Sequence, residues 1–244
     1  MQMIYKAREG QKSYGEPIGI LLLDFHAPFI PGDVGNATTY DYPVKFKLVE
    51  GLTFDRLLNK DKSALDSLIK AAKELEQQGV RAITADCGFF ALFQKEVAEA
   101  LDVPVFLSSL LQVPFISSII GKNSKVGIIS AVASSLDETF FDAVNVDSSS
   151  VALKGLEDKE NFRKFGVEET GILDTEAVEQ EVISAVEDLL EENPDVQAIL
   201  IECSMLPPYG KAVQEATGLP VFDFITMIDH VFTAVVKKEY QGYL

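Results

Sequence analysis

The sequence predicts an α/β protein of two pseudo-symmetric halves, each a parallel sheet flanked by helices, with the site in the cleft between them. Three observations predict it. First, one stretch occurs twice. Val80 to Phe106 and Val196 to Phe222 align without a gap at a constant offset, and 11 of their 27 positions are identical, Cys87/Cys203 and the closing Pro-Val-Phe among them. Internal repetition fixes an architecture before any other signal does. Second, each copy runs from a buried apolar stretch through a helical stretch to a short strand. That is a β-α-β unit, which implies parallel pairing through a right-handed crossover. Third, VGIISAV after Lys125 restarts the pattern that IGILLL opens at Ile18. The halves are therefore set at residues 1–109 and 110–222.

Each element follows from its pattern. Residues 1–16 read as a loose arm, and Ile18 to Leu23 as the first buried strand. A loop from Asp24 to Pro43, rich in Pro and Gly, is long enough to suggest a lid or binding loop. Val44 to Val49 alternates like an edge strand. Thr53 to Asn59 suits a short helical turn, and Lys62 to Gln78 has helical apolar spacing. The first Cys strand, Ala82 to Asp86, leads to a helix over Phe89–Leu101 and a strand over Val103–Leu107. Leu110 to Ile120 reads as an apolar helix buried on most sides. After the second-half opening strand, Ser134, Ser135 or Asp137 caps the next helix. Val151 to Leu153 is a weak strand, and Asp158 to Gly166 is polar and mixed. Thr175 opens a helix through Glu192, which Asn193-Pro194 stops. The second Cys strand, Val196 to Ile201, is followed by a helix at Lys211–Thr217 and a strand at Pro220–Phe222. Asp223 to Tyr240 is a final amphipathic helix.

Composition excludes several classes. The chain has 244 residues, 47% hydrophobic, with a formal charge of −17. That charge argues against nucleic acid as a partner, since phosphate backbones need clustered Lys and Arg. No stretch approaches the ~18 apolar residues of a membrane span, and the N-terminus lacks the apolar core of a signal peptide, so a cytoplasmic location is expected. Two Cys and two His at these spacings make no zinc site, so no metal is expected. Neither GxGxxG nor GxxxxGK[ST] occurs, so no cofactor is expected. A homo-oligomer is left open.

Cys87 and Cys203 each fall at the carboxyl end of a parallel strand, the edge at which open α/β sheets bind ligands. If the halves face each other, a thiol approaches the cleft from each side. One thiolate then removes a proton from a carbon acid while the other thiol delivers one to the opposite face, inverting the carbon. Reacting distances of ~3–3.5 Å on each side put the sulfurs roughly 7 Å apart, too far for a disulfide. A helix N-terminus lowers a thiol's pKa, and its amides suit a substrate carboxylate. Asp86 and Glu202 precede the cysteines. Alternation along a strand would turn them to the opposite face, and their roles stay open, as do those of His26 and His230.

These residues resemble the aspartate/glutamate (Asp/Glu/hydantoin) racemase superfamily, which includes cofactor-independent amino-acid and hydantoin racemases, arylmalonate decarboxylase and maleate isomerase. The resemblance covers most of the chain. It implies that Cys87 and Cys203 are the paired acid and base of a PLP-independent racemase or epimerase. The substrate implied is a small carboxylate-bearing compound of amino-acid or hydantoin type. It implies that the C-terminal helix, residues 223–244, packs back on the first half. By the match of Val126–Ser135 to the family's substrate loop, Ser130 and Ser134 contact a carboxylate, and Cys203-Ser204 matches the second Cys-Thr motif, which adds Ser204. Gly88 and Phe89 stand where many members have Asn-Thr, so they are expected to line the pocket. Asn36, in the long loop, is a candidate donor to substrate. Met205 stands where the family often has His. These departures keep open a related decarboxylase or isomerase using one cysteine, and a non-catalytic binding protein on the same fold.

Overall fold

The computed structural model describes residues 4–243; residues 1–3, part of the expected arm, and residue 244 lie outside the described residues. Among the described residues the strands form two all-parallel sheets. The first contains β1 (Ile18–Leu22), β2 (Val44–Leu48) and β3 (Ala82–Ala85) in the order β2-β1-β3. The second contains β4 (Lys125–Ser130), β5 (Val151–Gly155), β6 (Val196–Ile201) and β7 (Val221–Phe222) in the order β5-β4-β6-β7. In the first half α1 (Phe54–Leu58) and α2 (Leu65–Gln77) join β2 to β3, and α3 (Gln94–Glu99) and α4 (Val113–Ile119) follow. In the second, α5 (Glu138–Ala143) lies between β4 and β5. Next, α6 (Glu160–Gly166) and α7 (Thr175–Glu192) lead to β6, and α8 (Gly210–Thr217) leads to β7. Helix α9 (Phe224–Val235) comes last. Its Phe224, Met227 and Ile228 are buried with Ile18, Ile20, Ala82 and Phe106 of the first half. None of these helices is long and apolar enough to cross a membrane.

The sequence repeat is a structural one. Ile83 bridges Val105 just as Ile199 pairs with Val221. The Asp86 N–H donates to the Leu21 carbonyl at 3.0 Å, and the Glu202 N–H donates to the Ile129 carbonyl at 2.8 Å. Each Cys strand thus runs beside the opening strand of its half and leaves it at the residue before the cysteine.

Five elements differ from expectation, the last helix first: it ends at Val235 rather than running on through Tyr240, and residues 237–243 are not helical. The strand expected over 103–107 is a single bridge at Val105. Side chains take its backbone groups instead: Gln94 bonds Val105 O and Leu107 N, and Thr84 Oγ1 donates to Phe106 O. The helix expected from Phe89 begins as a 3₁₀ helix, Gly88–Phe93, buried at every residue. The helix at 113–119 is not buried on most sides, since Phe115 and Ile119 are each more than half exposed. The polar stretch at 158–166 forms α6, because Phe162 and Phe165 anchor it in the core. Asp137, of the three candidates, caps α5.

Candidate active site

The two Cys strands end at one cavity. Its walls include Asp86, Cys87, Gly88 and Phe89 from the first half and Glu202, Cys203, Ser204 and Met205 from the second. Phe25, Phe29 and Phe54 complete an aromatic side, and the cavity holds about 20 Å³, room for one water molecule. Both cysteines are free and almost fully buried.

Each sulfur sits against the backbone N–H two residues further on, Phe89 for Cys87 and Met205 for Cys203, which favours the thiolate. Burial outweighs that bond, and the Glu202 and Asp86 carboxylates add to burial, so both thiols are pushed well above their ordinary value of 9.0. The expected lowering by a helix N-terminus does not occur. The helix after Cys87 is six residues of 3₁₀ geometry, and the neighbouring charges are negative. Each thiol is opposed by a further charge, that of Cys203 for Cys87 and that of Asp33 for Cys203.

The acids do not turn away from the thiols. Strict alternation belongs to residues inside a ladder, and here the chain leaves the ladder at Cys87 and Cys203. Asp86 accepts the Leu23 N–H at 2.9 Å. Glu202 Oε2 accepts the Ser130 hydroxyl at 2.7 Å, while Oε1 is buried with no hydrogen-bond partner among the described residues. Burial raises Glu202 from 4.5 to about 7, with Ser130 pulling the other way. Gly88 is what admits this carboxylate: a Cβ there would lie 1.6 Å from Glu202 Oε1.

Several expected contacts resolve differently. Ser130 is fully buried and binds the Glu202 carboxylate rather than facing the cavity. Ser204 lines the cavity, but its hydroxyl donates to the Asp86 carbonyl, tying one half to the other. Ser134 is exposed, outside the cavity, with its N–H donating to Glu157. Asn36 does not reach the cavity either. Its amide donates to the Phe29 carbonyl at 2.8 Å and accepts from Thr38, fixing the loop that carries Phe29. Cys87, Gly88, Phe89 and Cys203 are brought together. His26 and His230 are exposed and line no part of it. Among the described residues no group of three or more His, Cys, Asp or Glu is arranged to hold a metal.

The long loop crosses to the second half. The His26 N–H donates to Glu169 at 2.8 Å, the Val34 N–H to the Ser204 carbonyl at 3.3 Å, and Gly32 packs on Pro208. It also buries Asp33, whose carboxyl burial raises from 3.8 to about 7. Sequence reasoning missed Phe25, Phe29, Phe54 and Asp33, since nothing in their local pattern ties them to the cysteines.

Asp33 and Glu202 predict how stability depends on pH. The unfolded chain ionises them near 3.8 and 4.5, the folded one near 7, so the folded state holds the extra protons. Stability therefore falls as pH rises from 5 to 7 and levels off above, by on the order of 3 kcal/mol for each group. Partly exposed Asp61, lowered to about 2 by Ser63 and Arg56, has the opposite sign and acts only below its unfolded value of 3.8. Urea titrations at pH 5 and pH 8 should show the loss, and Asp33→Asn and Glu202→Gln should each flatten it. Greater stability at pH 8 would contradict the assignment.

Structural comparison shows the fold. Unliganded arylmalonate decarboxylase superposes with a TM-score of 0.58 at 17% identity, covering 93% of this chain and 96% of that one. A glutamate racemase isoform from Bacillus anthracis gives 0.59 at 14% identity, covering 91% and 85%. Allantoin racemase from Pseudomonas fluorescens gives 0.58 at 14% identity, covering 92% and 100%. The chain shares its fold with these racemases and with arylmalonate decarboxylase, as the sequence resemblance implies. No protein-family model matches the chain.

Sequence comparison is narrower. The chain is 37% identical over 229 residues to a dimethylsulfoniopropionate lyase from Durusdinium sp. clade D, covering 91% of this chain and 75% of that protein. It is 31% identical over 232 residues to dimethylsulfoniopropionate lyase 3 of Emiliania huxleyi, covering 91% of this chain and 60% of that one. The chain belongs to the dimethylsulfoniopropionate lyase family. This overturns the expectation of a racemase or epimerase: the relatives are named for a bond-breaking lyase reaction, not for an isomerase. Physically, the fold supplies a thiol-lined cavity, and inversion at carbon is one of several outcomes of the same proton removal.

Proposed function

We propose that the protein cleaves dimethylsulfoniopropionate, or a close sulfonium carboxylate, by β-elimination. The reading is carried by one observation: in a chain of this family, both strand-tip thiols open onto a single cavity. The Cys203 thiolate takes a proton from the carbon next to the carboxylate. The C–H electron pair becomes the new C=C bond, and the C–S bond breaks with its pair going to sulfur. The products are acrylate, dimethyl sulfide and a proton, which the thiol later passes to solvent. A sulfonium leaves as a neutral sulfide and needs no acid to assist it. One base therefore suffices, and Cys87 serves as part of the wall. A cavity of about 20 Å³ is too small for this substrate, so its walls must move apart to admit it.

The test is headspace gas chromatography of dimethyl sulfide from the purified chain, with acrylate measured in solution in equal amount. Because both thiols lie above 9.0, kcat/KM should climb with pH through 9 without levelling off. No dimethyl sulfide, or a rate flat from pH 6 to 9, would defeat the proposal.

A further inference from the structure

The cavity's charge is one-sided. Its ionisable walls are two carboxylic acids and two thiols, with no Lys, Arg or His. Glu202 is fully buried, with one oxygen engaged by Ser130 and the other unpartnered among the described residues. Such orphaned buried oxygens are rare and unfavourable, and they mark places where something else belongs. Gly88, by lacking a side chain, leaves Oε1 its space. The rest of that space is bounded by rings. Phe25 meets Phe54 edge to face at 6.1 Å, and Phe54 meets Phe89 likewise at 5.7 Å. Phe29 stacks on Phe25 at 6.5 Å. A methylated cation is the ligand group that suits aromatic faces and an anion together, because it has no N–H or O–H to lose from water.

We infer that Glu202 Oε1 and the rings of Phe25, Phe29, Phe54 and Phe89 form a subsite for an onium cation, which selects sulfonium and quaternary ammonium carboxylates over neutral ones. The inference rests on the lyase reading for its reaction, though not for binding. The subsite orients the substrate by its cationic end and leaves the other end of the propionate chain toward the thiols.

The test compares two ligands of equal shape by isothermal titration calorimetry on the full chain. One is 3-(trimethylammonio)propanoate, and the other is 4,4-dimethylpentanoate, in which carbon replaces the charged nitrogen. The cation should bind about tenfold tighter or more. Glu202→Gln should reduce that preference to about threefold or less and raise KM for dimethylsulfoniopropionate more than it lowers kcat. Phe54→Leu should weaken the cation and leave the neutral ligand unchanged. Equal binding of the two ligands by the unaltered protein overturns the subsite, and needs no variant to fold. A preference retained in Glu202→Gln removes Glu202 from it. Dimethyl sulfide release without the preference spares the lyase reading and ends this one; the preference without release does the reverse.

Discussion

Cys203→Ser is expected to lower kcat for dimethyl sulfide release by about 10³-fold, within the range that a placed general base contributes. Cys87→Ser is expected to lower it by about tenfold or less, since a sulfide leaving group asks for no second proton donor. The asymmetry is what an elimination with a single base requires. Burial and the Glu202 charge raise both thiols alike, so the two variants, compared side by side, distinguish the base from the wall. Serine keeps the shape and the backbone contact while raising the pKa of the group by several units, so folding should survive in both variants. Circular dichroism and a thermal melt check that. If Cys87→Ser is the inactive one, the base is misassigned; if neither loses activity, no thiol takes the proton.

Gly88→Ala should be strongly damaging. The added carbon would lie 1.6 Å from Glu202 Oε1, 2.3 Å from its Cδ and 2.8 Å from its backbone carbonyl oxygen. Glu202 has no room to retreat, being fully buried and held by Ser130. Overpacking of this kind is unfavourable by about 1–3 kcal/mol, and here it also dislodges the carboxylate that faces both thiols. We expect a loss of about 3 kcal/mol in urea unfolding together with loss of lyase activity. The double variant Gly88→Ala/Glu202→Ala should regain part of the stability, because the two side-chain clashes vanish while the carbonyl contact remains. A Gly88→Ala protein as stable as the parent would show that Glu202 adopts another position.

Much of this was legible because duplication is a strong signal. The repeat located β3 and β6, matched Val105 to Val221, and placed both cysteines where strands end. Serine roles were less legible. Ser130 sits where a family resemblance implies a substrate contact, yet the Glu202 carboxylate takes its hydroxyl. The helix after Cys87 was misread because its residues are apolar all round, and Gly88–Phe93 is buried on all sides as a 3₁₀ helix with no solvent face to set a period. The reaction class was not legible either. Two thiols over a cavity suit proton removal from carbon but do not say what departs, and three other residues of the wall, Phe25, Phe29 and Phe54, lie outside the repeat in sequence.

The crossing loop has one more consequence. Its backbone bonds to Glu169 and Ser204 clasp the lobes, and the same segment carries the two rings that roof the chamber. A substitution that loosens the loop should therefore disturb the joint between the lobes and the aromatic wall together.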